Sequence, residues 1–241
     1  MDEIQKKYEK QINELVEACH HSAELNYVTA AGGNFSMRVE KNILVISPAV
    51  ILKRKIRFED ICVIDLEGKV LFASEGRKPT GEWYIHTRIM KRRPDVMAIA
   101  HAHTPILSGF AIAADGTLDK PFLPEPVTEI GPILTIPFAA EMGRDPALAQ
   151  KFDELIMKSN GFLMENHGAL FCSRKGIEDA FELLNMAECM GQSIVVAKIL
   201  GNAKPMSKEW IAGMDGMISA FKLKMPGADG YAATASELYY P

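Results

Sequence analysis

Two histidines placed two residues apart inside an apolar run constrain this chain more than any other feature. The stretch is Val96-Met97-Ala98-Ile99-Ala100-His101-Ala102-His103. It reads as a buried strand, and successive side chains of a strand point to opposite faces, so His101 and His103 share one face. Imidazoles paired in this way suit a transition metal, zinc above all, for which a catalytic site takes about three protein ligands and keeps a position open. Two further candidates flank the strand: Glu82 before it, and His167 within Met164-Glu165-Asn166-His167-Gly168 after it. The expectation is a metal site of Glu82, His101, His103 and His167. Buried histidines that served packing alone would each need their own hydrogen-bond partners.

The chain has 241 residues and a hydrophobic share of 48%, enough for a full globular core. No Gly/Ser/Pro-rich linker divides it, so a single domain over residues 1–241 is expected. A formal charge of −4 offers no general attraction for nucleic acid or an anionic membrane. Cys19, Cys62, Cys172 and Cys189 include no C-x-x-C pair and read as reduced thiols of a cytoplasmic protein. The first residues, Met1 to Lys7, lack an apolar signal core, and no uninterrupted apolar run reaches the length of a bilayer.

Periodicity predicts an amphipathic helix from Ile4 to about Leu25. A glycine turn follows, Thr29-Ala30-Ala31-Gly32-Gly33-Asn34-Phe35-Ser36, whose freed amides with Asn34 and Ser36 form either an anion nest or an ordinary turn into a strand. Strands are expected at 43–47, 61–66 and 69–72, the last two joined as a hairpin through Glu67-Gly68. Ser47-Pro48-Ala49-Val50 is a loop. A helix over 82–90 places Thr80 as its N-cap and Glu82 in its first turn, where the positive helix end favours a carboxylate. His86 lies one turn beyond. Residues 104–126 read as irregular, with a turn at Asp115-Gly116. A strand at 133–136, a helix from Asp145-Pro146, strands at 162–164 and 169–172, and helices over 176–200 and 207–223 complete the pattern. A mobile tail is expected from about 224. Helices flanking a mainly antiparallel sheet make an α+β domain or an α/β one, a three-layer α/β/α sandwich.

Six short motifs in order now identify a resemblance: Gly33-Asn34-Phe35-Ser36, Ser47-Pro48, Lys78-Pro79-Thr80-Gly81-Glu82-Trp83, Arg93-Pro94-Asp95-Val96, His101-Ala102-His103-Thr104 and Asn166-His167-Gly168. Over residues 8–200 the sequence resembles the class II aldolase/adducin family, metal-dependent aldolases of sugar phosphates. The resemblance implies an α/β/α sandwich assembled as a homotetramer with active sites at subunit contacts. It implies one Zn2+ per subunit, held by His101, His103 and His167, with Glu82 as fourth ligand and as acid/base. The implied reaction cleaves a ketose, or a ketose 1-phosphate, to a dihydroxyacetone (phosphate) unit and an aldehyde through a zinc-stabilised enediolate. Asn34, Ser36, Ser47, Thr80 and Gly81 fall at the family's substrate and phosphate positions, Glu129 near that of a second acid/base, and Tyr231 in the tail that reaches a neighbouring site.

The departures are equally specific. Ala49-Val50 stand where the family has a hydroxyl and a glycine, and Gly81 where it has a second serine. Roughly two donors are missing, each worth about 1.5–3 kcal/mol when bonded to a charged group, with Lys53 as a candidate replacement. Decarboxylation of a β-keto sugar acid is the alternative chemistry for the same metal site. A non-enzymatic, adducin-like interaction module is disfavoured because all three histidines are kept.

Overall fold

In the computed structural model, which describes residues 2–113 and 117–240, the opening amphipathic stretch forms two helices, α1 (Glu3–Lys7) and α2 (Glu9–Glu24). The break falls at Tyr8, whose phenol donates to Glu40. α2 fully buries Ile12, Leu15 and Cys19. These recur every three or four residues and so share one face, and each aliphatic side chain contributes about 1.5–3 kcal/mol on burial.

Contacts divide the chain into two compact units, each drawn from two segments: 1–104 with 170–182, and 105–169 with 183–241. The first continues with β1 (Asn34–Glu40), β2 (Ile43–Ile46), β3 (Cys62–Asp65), β4 (Val70–Phe72), α3 (Trp83–Arg92) and β5 (Ala98–Ala102). β1 pairs antiparallel with β2 and with β5, and β3 antiparallel with β2 and β4. The β3–β4 hairpin turns at Gly68, as expected. There φ is +82°, and a Cβ would stand 2.2 Å from the Trp83 ring, so the turn admits only glycine.

This unit is tied from inside by charge. Arg38 donates to the backbone carbonyls of Lys41, Met90 and Val96. Arg93 is fully buried; its Nη2 lies 2.6 Å from Asp95, which also receives Arg174 at 3.1 Å.

The second unit holds α4 (Pro105–Ile112), α5 (Pro124–Glu129), β6 (Leu134–Ile136), α6 (Pro146–Leu155) and β7 (Gly161–Met164). β8 (Gly168–Ser173) and α7 (Ile177–Leu200) run across the division, and α8 (Lys208–Phe221) and α9 (Ala235–Tyr239) close the chain. The stretch expected to be irregular therefore contains α4 and the start of α5. The N-terminal amides of Ile106 and Leu107 in α4 are taken by the carboxylate of Glu188 at 2.8 and 2.9 Å, a cap supplied from far along the chain that local spacing cannot signal. The expected turn at Asp115-Gly116 lies outside the described residues.

The residues after 224 pack rather than hang free. Met225, Ala235 and Leu238 are buried in one cluster with Val127, Ile211 and Ile218, and the Ala228 amide donates to Met157. α7 is long and apolar enough, by length and composition, to cross a bilayer, although Glu182 and Glu188 interrupt its apolar run. Its Ala180, Leu184, Ala187 and Met190 are buried within the protein, the pattern of a core helix.

In the first unit the strands run in the order β4-β3-β2-β1-β5-β8, and in the second β6 and β7 run parallel. The architecture is the α/β fold expected, a mainly antiparallel sheet flanked by helices.

Burial by itself raises the Asp95 carboxyl, but hydrogen bonds and charge from Arg93 and Arg174 more than offset it and hold the group below the usual aspartate range. Its contribution is therefore fully present above the unfolded pKa and is lost as pH falls through the lower folded value. Asp95→Asn is expected to lower unfolding stability at neutral pH by about 3 kcal/mol. Urea titrations at neutral and acid pH should show the difference from wild type shrinking as Asp95 protonates.

Candidate metal centre

The site grows from a register. In the β1–β5 pair Asn34 stands opposite His101 and Ser36 opposite Ile99, so Asn34, Ser36 and His101 lie on one face of the sheet. α3 meets that face. Ser36 Oγ and His86 Nδ1 are 2.7 Å apart, His86 Nε2 and Asn34 Oδ1 2.5 Å, and Asn34 Nδ2 donates to Glu82 Oε2 at 2.5 Å. The periods fit: four residues of helix rise about 6 Å and two residues of strand about 6.6 Å, so the pair Glu82 and His86 can meet the pair Asn34 and Ser36.

Helix α3 starts one residue later than expected. Glu82 itself occupies the N-cap position without a side-chain cap, and Thr80 Oγ1 accepts from the Glu82 amide at 3.4 Å. The carboxylate Oε2 lies 3.5 Å from His101 Nε2. His101 is almost fully buried. His103 follows the end of β5 and donates its backbone amide to Tyr27.

The glycine turn packs directly on this pair. A Cβ at Gly33, where φ is +68°, would come within 2.8 Å of the His101 carbonyl, and one at Gly32 within 3.2 Å of His103 Nδ1. These glycines are thus explained by close approach.

The donor set fits a divalent cation. His101 Nε2 and His103 Nε2 are 3.2 Å apart, while two nitrogens bound at 2.0–2.1 Å to a tetrahedral ion stand about 3.3 Å apart. His167 sits on the turn between β7 and β8, after Asn166 with φ +54°, a left-handed position that asparagine tolerates better than most residues. His101 and His103 belong to the first unit and His167 to the second.

The remaining expected residues fall as follows. Asn34 and Ser36 are buried, and their side chains are hydrogen-bonded within the His86 and Glu82 network rather than presented as exposed donors. Ser47 is fully buried and its Oγ accepts from the Phe35 amide. The loop after it is joined to residues 78–80 through Ala49 to Lys78 and Thr80 to Ser47 backbone bonds, which brings Ser47 beside Thr80 and Gly81. Val50 adopts φ +54°, a strained conformation for a β-branched residue. The turn keeps a glycine-like shape without glycine. Gly81 is exposed, and a Cβ there would meet nothing within 4 Å.

Glu129 ends α5 with its side chain exposed, and Tyr231 is also exposed. Lys53, which the sequence marked only as a substitute cation, is buried and donates to the Ala31 carbonyl in the glycine turn at 3.1 Å. Burial lowers its pKa, with the charges of Cys19 and Glu82 opposing. His86, flagged only for its place on the helix, is fully enclosed; burial pushes it down to about 4 against the opposing Glu82 charge.

A family model described as the Class II Aldolase and Adducin N-terminal domain matches residues 13–193. A methylthioribulose-1-phosphate dehydratase of Methylococcus capsulatus is 28% identical over 192 residues, covering 76% of this chain and 91% of that protein. A 3-oxo-tetronate 4-phosphate decarboxylase of Haemophilus influenzae is 28% identical over 152 residues, covering 61% and 69% respectively. Among solved structures, an L-fuculose 1-phosphate aldolase superposes with a TM-score of 0.73 at 26% identity, over 88% of this chain and 96% of its own. A dehydratase, a decarboxylase and an aldolase thus share this fold or sequence pattern. With the greater part of the chain matched by that one model, the protein belongs to the class II aldolase and adducin family.

Proposed function

We propose that the protein is a metal-dependent lyase that cleaves a ketose 1-phosphate to a dihydroxyacetone phosphate unit and an aldehyde. The observation that carries this reading is the Glu82 carboxylate, held by Asn34 and facing His101 at 3.5 Å. It joins a base to a set of imidazoles suited to a metal. His101, His103 and His167 would hold the ion with Glu82, and zinc suits nitrogen ligands completed by one carboxylate. When bound, a divalent cation supplies Lewis-acid polarisation of the substrate's carbonyl oxygen.

Glu82 is the group that exchanges a proton with the carbon beside that carbonyl. The hydroxyl proton released with the aldehyde goes to a second base, for which Glu129 is the proposal. Ser47, Thr80 and Gly81 are the proposed phosphate end of the site, with Asn34 and Ser36 behind it. Homotetramer assembly is part of the same reading, supported by exposed Ile199, Leu200, Trp210 and Phe221, apolar surface that self-association would cover. The free, mostly buried cysteines fit a cytoplasmic location.

Decarboxylation of a β-keto sugar acid is the second reading, favoured by the similarity to the decarboxylase. Both reactions leave negative charge on the carbon next to a carbonyl and then require a proton there, so Glu82 serves either.

Protein purified without added metal is expected to carry about one zinc per chain, and His103→Ala to lose bound metal and turnover together. Full activity in that variant would overturn the proposal. Assays with a phosphorylated ketose, its unphosphorylated counterpart and a β-keto acid separate the readings: aldehyde release supports cleavage, carbon dioxide release the alternative. Gly81→Ser adds a hydroxyl in open space and is expected to lower KM for the phosphorylated ketose while leaving the unphosphorylated one unchanged. Equal effects on both would remove the phosphate from this loop.

A further inference from the structure

Ser36, His86 and Asn34 form a buried line that ends on a carboxylate. Its hydrogen positions follow from one end. Glu82, as an ionised base, accepts only, so Asn34 must turn its Nδ2 toward Oε2, the orientation found at 2.5 Å. The Asn34 carbonyl then faces His86 Nε2 at 2.5 Å and can only accept, so that nitrogen carries the proton. In a neutral imidazole the other nitrogen, Nδ1, is then the acceptor, and it takes the Ser36 hydroxyl at 2.7 Å. The enclosed position of His86 keeps the ring neutral. Every donor in the line points the same way, toward Glu82, and such a line polarises each bond in the same sense.

We infer that Ser36 and His86 are positioning residues for Glu82, acting through Asn34, whose amide fixes the carboxylate oxygen that faces His101. This inference rests on the reading of Glu82 as the base, and it changes the roles of Asn34 and Ser36 from substrate contacts to parts of that device. Neither Ser36 nor His86 need touch substrate. His86 is fully enclosed and Ser36 has no exposed surface, so their influence must pass through the Asn34 amide.

The test joins a hydrogen position to a kinetic pattern. Protein labelled with 15N-histidine, loaded with zinc, is examined by long-range proton–nitrogen correlation, with His86→Gln identifying the His86 signals. The expected result at neutral pH is a neutral ring with its proton on Nε2; a proton on Nδ1 overturns the inference. In parallel, His86→Gln places an amide N–H toward Asn34 and a carbonyl toward Ser36, and is expected to keep kcat close to wild type. His86→Phe should lower kcat by about 10- to 100-fold, the usual range for residues that orient a metal-site ligand, with KM and bound zinc little changed. Ser36→Ala, a small change that leaves the core volume nearly intact, should lower kcat in the same sense and serves if the phenylalanine variant does not fold.

Wild-type kcat in both His86→Phe and Ser36→Ala overturns the inference while leaving the lyase reading intact. An Nε2 proton in a protein that turns over none of the three substrates supports the hydrogen-bonded line while the lyase reading fails.

Discussion

The antiparallel pairing of β1 with β5 is the constraint on which the site depends. Setting Asn34 opposite His101 decides which side chains share a face, and a slip of one residue would turn Asn34 and Ser36 away from the histidines together. The same pairing accounts for the glycines before β1. With the strand fixed in this register, the turn at Gly32 and Gly33 passes so close to the His101 carbonyl and the His103 ring that a side chain at Gly33 would collide. The paired histidines, the support of Glu82 and the turn are therefore consequences of one ladder rather than separate features.

Helix α3 converts that ladder into a site. A helix that merely covered the sheet would present apolar residues, as Ile85 and Ile89 do. Glu82 and His86 are polar, and each lands on a polar partner because a helical turn and a two-residue strand step are close in length. Burying a histidine without partners is unfavourable. His86 avoids that because both ring nitrogens are engaged.

Much of this is legible in the sequence alone. His101 and His103 announce themselves by alternation in an apolar run, and Glu82, Gly68 and the β3–β4 hairpin by local chemistry. What stayed hidden depends on partners distant in the chain. The reversal of roles for Asn34 and Ser36 needs His86, some fifty residues on. Helix α4 was invisible because Glu188 caps it from more than eighty residues away, and the tail read as free because its Met225 and Leu238 find their cluster only in three dimensions. Lys53 could be counted as a cation from sequence, but not as a buried one bonded to the glycine turn.

The loop at Ser47–Val50 separates two properties that usually travel together, backbone shape and hydrogen-bonding capacity. Val50 holds the left-handed turn where a glycine would do so without strain, so the loop still reaches residues 78–80 and keeps Thr80 beside Ser47. The donors that shape ordinarily frames are reduced, since Ala49 has no hydroxyl and Gly81 no side chain at all. If the proposed site takes an anion, an intact cradle with fewer donors would hold it through backbone and charge more than through hydroxyls. Lys53 is a buried cation bonded to the turn that rests on His103. Burial lowers the Lys53 pKa, and the charges of Cys19 and Glu82 oppose that, so in the proposed site any gain in anion affinity from Lys53 is coupled to Glu82. In the proposed site the anion and Glu82 are in that sense tied to the same turn.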